Sequence, residues 1–241
     1  MDDYTVSPET FRSQMNWISQ HGWKPTVLED ILGEKIESVP EHALVITFDD
    51  GFASNRSDAW PILQEYGFPS ATFLVAARLG SRNTWDGPGR DDYELLSCND
   101  LAGANAQLMR FHSHSLTHPV LPPLKPDALR KELEESKKAI ALLNGSGSFF
   151  AYPFGAWSRQ VVEHVGEAGY TGACTCIEGL NSKHTNPFLL RRVEIRECDT
   201  GWRLWLKLTT GRDLLAIREW IVRSRDWVKR GTRAIFGRAP H

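Results

Sequence analysis

The sequence predicts an α/β protein built on a mainly parallel sheet, and two observations carry the prediction. Short apolar runs alternate with helical stretches of about ten to fifteen residues, the pattern of successive β-α-β units. Each cluster of chemistry-bearing residues also falls just after an apolar run, the end of a parallel sheet where loops gather and sites form. The 241 residues, 41% hydrophobic and 24% charged, suffice for one substantial core. α/β barrels of about 250 residues form a single unit, so length alone does not require a second domain.

The elements follow in order. Phe11, Met15 and Ile18 mark a helix whose N-cap is Ser7 and whose first residue is Pro8. Thr26-Val27-Leu28-Glu29 reads as a capping box opening a short second helix. A strand over 43–48, a helix over 59–66 and a strand over 71–75 come next. A loop rich in Gly, Arg and Asp over 80–92 leads to a short helix after Ser97. A run at 108–111 precedes a helix over 126–143 that carries Leu129, Leu133, Ile140 and Leu143 on one side. A strand over 148–152, a helix over 158–168 and strands near 171–175 and 188–195 complete the pattern.

No apolar run approaches the roughly 20 residues of a membrane-spanning helix. The start, Met1-Asp2-Asp3-Tyr4, is acidic and lacks the basic, then apolar, pattern of a secretory signal, so a cytoplasmic location is expected. Cys98, Cys174, Cys176 and Cys198 show no Cys-x-x-Cys spacing and read as reduced packing residues. The net charge of -2 is unevenly spread, with ten Lys/Arg and three Asp/Glu from Thr200 onward out of totals of 28 and 30. That segment carries Trp202, Trp205, Trp220 and Trp227 at roughly helical spacing. Tryptophans packed on the body and solvated arginines are the expected arrangement. Peripheral contact with anionic lipid through a C-terminal basic helix is the alternative. No nucleic-acid partner is expected, since the basic residues sit in one tail without a recognition motif.

Three segments carry the chemistry. Thr47-Phe48-Asp49-Asp50-Gly51 sets two carboxylates at the end of an apolar strand, where burial is costly without a cation or hydrogen bonds. Asp-Asp-Gly also suits a plain turn. His112-Ser113-His114-Ser115-Leu116-Thr117-His118 holds three of the eight histidines. One helical turn between His114 and His118 would put both imidazoles on the same side, where zinc is readily held. With Asp50 they make one carboxylate and two imidazole ligands with open positions, and the spare carboxylate Asp49 is placed to take a proton from an activated water. Tyr152-Pro153-Phe154-Gly155 ends a strand in a tight turn, and its Phe154 N–H is free to face a developing oxyanion.

Taken in this order, the three segments resemble the polysaccharide deacetylases, the family sharing the NodB homology domain (carbohydrate esterase family 4). Asp49-Asp50 looks like the family's first motif, His114-Ser115-Leu116-Thr117-His118 its second and Tyr152-Pro153-Phe154-Gly155 its third. Asn83-Thr84-Trp85-Asp86 and Leu190-Arg191-Arg192-Val193 are similar to segments of exopolysaccharide-associated members, including those acting on poly-N-acetylglucosamine. The resemblance spans about residues 5 to 215. It implies a distorted parallel (β/α) barrel with fewer than eight regular strands over 1–215, and the charge and tryptophan pattern beyond it reads as a basic helical tail over 216–241. It implies a metal-dependent hydrolase acting on an N-acetylated oligo- or polysaccharide, with Asp49 as base and Asp50, His114 and His118 on a divalent ion. Zinc is the expected ion, with cobalt or nickel as alternatives. Phe154 is implied in oxyanion stabilisation, and Trp85, Asp86, Tyr152, Pro153 and Arg192 in binding sugar.

The chain departs from the family pattern in three places. Ala151 stands where many members carry the Arg that orients the catalytic Asp, so Asp49 must be held another way. The late Leu-x-His motif that supplies a general acid is missing, leaving His184 as a weak substitute. A first strand usual in this branch has no counterpart, which suggests a shortened or replaced start. Two rival readings follow: deacetylation of a lipid-linked sugar intermediate, and a catalytically silent, metal-containing glycan-binding module.

Overall fold

The computed structural model describes residues 5–32, 39–87, 93–143 and 147–214. The basic tail expected over 216–241, with Trp220 and Trp227, lies outside the described residues, as does the 88–92 part of the expected loop.

Five short strands, β3 (Ile46–Phe48), β4 (Ser70–Leu74), β5 (Met109–Ser113), β6 (Phe149–Ala151) and β7 (Gly172–Cys174), form one parallel sheet in chain order. A second parallel pair joins β1 (Lys24–Pro25) to β2 (Ala43–Leu44). The apolar run 43–48, expected as one strand, is therefore two. Ala43 and Leu44 pair with Lys24 and Pro25, whereas Ile46 to Phe48 pair with β4. Helices α1 (Pro8–Gln20), α2 (Trp60–Tyr66), α3 (Cys98–Ala102), α4 (Pro126–Ala141) and α5 (Arg159–Glu167) connect or flank the strands, and α6 (Trp202–Thr210) follows the last. The sheet curls into a half-barrel, the distorted parallel barrel expected from the sequence.

Strand alternation sorts the core into an inner and an outer layer. Ala71, Phe73, Phe149, Ala151 and Cys174 share the inner cluster with Leu28 and Leu190. On the outer side, Leu74, Met109 and Phe111 pack with Met15 and Ile18 of α1 and Trp60, Ile62 and Leu63 of α2. Phe150 and Ala173 pack with Leu129 and Leu133 of α4 and Val161 and Val165 of α5. On α4 the buried stripe is Leu129, Leu133, Ser136 and Ile140. Ser136 sits there because its hydroxyl meets Ser113 Oγ at 2.9 Å and Tyr170 OH at 3.1 Å.

Local sequence explains most helix starts. Ser7 Oγ accepts from the Thr10 N–H at 3.2 Å with Pro8 at the first position of α1. Ser97 and Asp100 form a full capping box on α3, and Ser158 caps α5. The capping box expected at Thr26–Glu29 does not form. Leu28–Asp30 is a single 3-10 turn without a side-chain cap, and Glu29 instead lies 3.8 Å from the buried His112. The strand expected near 188–195 is also absent. Pro187–Leu189 is a 3-10 turn, and one parallel bridge from Leu190 to Cys174 extends the sheet beyond β7.

The segment after β7 is tied down from the other side of the fold. Gln14 Nε2 donates to the carbonyls of Arg196 and Asp199 at 3.0 Å each. Lys207 Nζ, buried on α6, donates to Asp199 at 2.6 Å and lies 2.8 Å from Asp213. Contrary to expectation, α6 turns Leu204 and Lys207 inward and leaves Trp202 and Trp205 exposed, at 62% and 51%. Of the four cysteines only Cys174 is a packing residue; Cys98, Cys176 and Cys198 are exposed, and all four are free. Among the described residues no helix is long and apolar enough to cross a membrane.

Candidate metal centre and active site

Alternation along β3 turns Ile46 and Phe48 to the outer core, and Thr47 to the inner face, where its hydroxyl lies 3.4 Å from Arg192 Nη1. Asp49 continues that inner line at the strand's end. Asp50 and Gly51 then take left-handed backbone, φ 66° and 78°, which swings the second carboxylate sideways. Gly51 is required there, because a Cβ would lie 2.5 Å from Leu74 Cδ2.

The swing carries Asp50 Oδ1 to 3.6 Å from His114 Nε2 and 3.3 Å from His118 Nε2, and the two imidazole nitrogens are 3.3 Å apart. The histidines do not share a helical turn, as the spacing suggested. His114 extends the inner line of β5, and the chain doubles back through left-handed Ser115 and His118, φ 67° and 65°. Four of the five non-glycine residues with left-handed φ among the described residues, namely Asp50, Ser115, His118 and Phe154, lie at this site.

The donor set fits a divalent ion. His114 Nδ1 bonds the Ala151 carbonyl at 2.8 Å, which places the proton on Nδ1 and leaves Nε2 as an electron-pair donor. Asp50 Oδ1 is buried with no hydrogen-bond partner, and the three ligand atoms lie within 4.8 Å of one another. Burial lowers the pKa of both histidines, His118 to about 3 with help from His114, so both are neutral ligands near neutral pH. Burial, then the charges of Asp49 and Asp86, pushes the Asp50 carboxyl up to about 8. A cation answers each of these costs, converting an unfavourable cluster into a binding site.

Asp49 is held differently. Arg192 Nη1 and Nη2 donate to its two oxygens at 2.7 and 2.8 Å, and Arg192 Nε donates to the Thr175 carbonyl at 3.0 Å. Burial alone would raise the Asp49 pKa, but the guanidinium outweighs it and holds the carboxyl at about 2. The Asp49 side chain keeps 32% of its surface open. Arg192, expected to bind sugar, therefore has its guanidinium turned to Asp49 and fills the role left empty by Ala151. The same contact joins β3 to the segment beyond β7 across the open side of the half-barrel.

Two more expected sugar ligands are enclosed. Tyr152 is buried with its hydroxyl on the Phe188 carbonyl at 3.0 Å, and Pro153 is buried beneath the turn. Phe154 projects from that turn, 53% exposed, and its ring meets the His118 imidazole edge to face with centroids 4.6 Å apart. Gly155 N–H and Ala156 N–H close the turn on the Tyr152 and Pro153 carbonyls, and the Phe154 N–H is not among its donors. Trp85 stacks on His118 with ring centroids 4.4 Å apart, and the exposed Asp86 is held by Asn83 Nδ2 at 2.6 Å. Trp85, Asp86, Tyr93, Phe154 and Cys176 line the groove above Asp49 and the histidines. His184 faces a separate depression with Trp157 and Leu189 and does not join the site.

Residues 36–173 match the sequence profile of the polysaccharide deacetylase family. A Bacillus subtilis (strain 168) protein named as a polysaccharide deacetylase is 22% identical over 193 residues, 79% of this chain and 65% of its own. The chain thus spans slightly less than two thirds of that relative's length. The poly-beta-1,6-N-acetyl-D-glucosamine N-deacetylase of Staphylococcus aureus (strain N315) is 24% identical over 208 residues, 81% of this chain and 69% of its own. The fold is similar to that of the Streptococcus pyogenes deacetylase PplD, solved in complex with acetate, with a TM-score of 0.73 and 20% identity over 86% of this chain and 89% of that one. With the profile covering more than half of its length, the chain belongs to the polysaccharide deacetylase family.

Proposed function

We propose that this protein is a metal-dependent hydrolase that removes acetyl groups from N-acetylated sugars of a polysaccharide or glycan precursor. The observation that carries the reading is a partly open carboxylate, Asp49, kept ionised by Arg192 beside the Asp50, His114 and His118 cluster. A binding module has no need of an ionised base in that position, which favours the hydrolase over the silent glycan binder.

Asp50, His114 and His118 hold the ion, with zinc expected and cobalt or nickel as alternatives; when bound, it supplies Lewis acidity and a water of lowered pKa. Asp49 accepts the proton of the attacking water. Arg192 keeps that carboxylate unprotonated and fixes its direction. The Phe154 N–H donates to the carbonyl oxygen as negative charge develops on it. Trp85 and Phe154, both against His118, offer aromatic surface to the sugar, and Asp86 accepts from its hydroxyls. The named activity of the Staphylococcus aureus relative supports a polymer of N-acetylglucosamine as substrate class.

The test is acetate release from N-acetylglucosamine oligomers by zinc-loaded protein, beside a chelated sample and an Asp49→Asn variant that retains metal. Release lost in both controls supports the mechanism. No release by protein shown to hold zinc would sink it for this substrate, and the assay would move to lipid-linked acetamido sugars.

A second proposal concerns location. Exposed Trp202 and Trp205, followed by the basic excess of the tail, favour peripheral contact with anionic lipid. Co-sedimentation with anionic but not neutral vesicles, lost in a Trp202→Ala/Trp205→Ala variant, is the expected result. Equal sedimentation of the variant would overturn it.

A further inference from the structure

The turn that brings His118 back to His114 is not stable by its own design. Ser115 and His118 are both left-handed without being glycine, so the backbone between the two histidines must be held from outside. Part of the restraint is local. The Ala76 and Ala77 N–H groups donate to the Ser115 and Leu116 carbonyls at 3.1 and 2.9 Å, and the His118 N–H donates to Ser115 Oγ at 3.0 Å.

The rest comes from one side chain on α4. Glu132 Oε2 accepts from the backbone N–H of Leu116 and of Thr117 at 2.9 Å each, and Oε1 accepts from Thr117 Oγ1 at 2.7 Å. All three donors belong to the two residues immediately before His118. Consecutive N–H groups converging on one carboxylate form an anion-holding nest, here filled by the protein's own side chain. The helix carrying Glu132 is itself fixed at this level. Ser136, one turn on, bonds Ser113 Oγ at the end of β5, and Tyr170 OH donates to the Leu133 carbonyl at 2.9 Å.

We infer that Glu132 is a positioning residue of the metal centre, setting where His118 stands relative to His114 and Asp50. It touches neither ion nor substrate and acts through the turn. The inference rests on the proposed metal site. Groups that orient metal ligands in this way typically change affinity ten- to a hundredfold when removed. Glu132→Ala is expected to lose that much affinity. Glu132→Gln, which keeps one acceptor oxygen but no charge, should recover part of it, and Thr117→Val, which removes only the hydroxyl, should lose least.

The test measures binding of zinc by calorimetry and of cobalt(II) by its visible spectrum, on full-length protein, with the thermal midpoint of each metal-free variant as a fold control. Glu134→Ala, on α4 but ion-paired only to Lys138 among the described residues, serves as the neutral substitution. The expected result is a graded affinity series, Ala weakest and Thr117→Val nearest wild type, with an altered cobalt spectrum in the Ala variant. Wild-type affinity and spectrum in Glu132→Ala would overturn the inference. If Glu132→Ala fails to fold, unchanged affinity in both Glu132→Gln and Thr117→Val overturns it instead. Failure of the wild type to bind either ion would refute the metal site itself, a distinct outcome.

Discussion

Replacing Arg192 by methionine separates the ion pair from its packing volume. In the native protein the Asp49 carboxyl is depressed from 3.8 to about 2, against a burial effect of opposite sign. A shift of that size corresponds to about 2.5 kcal/mol. Because the Asp49 side chain keeps about a third of its surface open, solvent screening reduces the usable part to ~1–2 kcal/mol. The variant also leaves a half-buried carboxylate unpaired, so a total loss of about 3 kcal/mol is expected at pH 7. For a domain of this size that corresponds to a fall in midpoint of roughly 6–12 °C. The pH dependence gives the sharper test. A depressed carboxylate contributes stability that is complete above the unfolded pKa near 4 and lost as pH falls toward 2. In Arg192→Met, burial, the largest influence, is opposed only by the smaller pull of His114 and His118 and raises the Asp49 pKa, so the variant gains relative stability on acidification. Urea melts of both proteins, stripped of metal by chelation, should therefore show a difference that is largest above pH 4 and shrinks toward pH 2. A difference that stays constant from pH 2 to 7 would refute the electrostatic account of Arg192 and leave only packing.

Other consequences are equally direct. Lys207→Met removes the ammonium from the buried carboxylate of Asp199, which keeps the Arg196 N–H as a donor, and should cost about 3 kcal/mol in urea midpoint analysis. Adding Asp199→Asn should recover part of that loss. Gly155→Ala puts a methyl 2.8 Å from Cys176 Cβ and Sγ on a backbone with φ 64°, and should destabilise by about 1–3 kcal/mol. A second substitution, Cys176→Ala, should relieve the clash at Sγ but not the φ strain, so complete recovery would contradict the geometry. Trp85→Ala removes the ring stacked on His118 and should raise KM for oligosaccharide about tenfold with a smaller change in kcat. A pure kcat effect would place Trp85 in the chemistry rather than in binding.

The fold was readable from the sequence because its signals are local. Ser7-Pro8, Ser97 with Asp100, and Ser158 each fix a helix start within four residues, and the strand alternation that separates Phe149 from Phe150 lies on the surface of the sequence. The candidate site was readable as composition, since adjacent aspartates and a histidine pair are rare at strand ends. Its geometry was not. Thr26 and Glu29 match a capping box, but Leu28–Asp30 closes as a single 3-10 turn with Val27 at its N-cap, so Thr26 stands one residue too early and its hydroxyl points to Asp30 instead. Arg192 reaches Asp49 across 143 residues, and nothing in Leu190-Arg191-Arg192-Val193 distinguishes a guanidinium aimed at sugar from one aimed at a carboxylate. Glu132 looks like any solvated glutamate in the amphipathic helix α4. Only the turn it meets gives it a role.

The concentration of left-handed backbone at Asp50, Ser115, His118 and Phe154 has a consequence for laboratory evolution. A selection that rewards heat resistance alone would find these positions early, because glycine at Ser115 or Phe154 relaxes the chain where it is most constrained. Each such gain removes something the groove uses: the Ser115 hydroxyl that accepts from the His118 N–H, or the Phe154 ring against His118. Thermostable clones from an unselective screen should therefore be enriched in proteins that keep their shape but lose the proposed metal site, and a screen that scores metal binding alongside heat would steer stabilising changes to the helical side of the barrel.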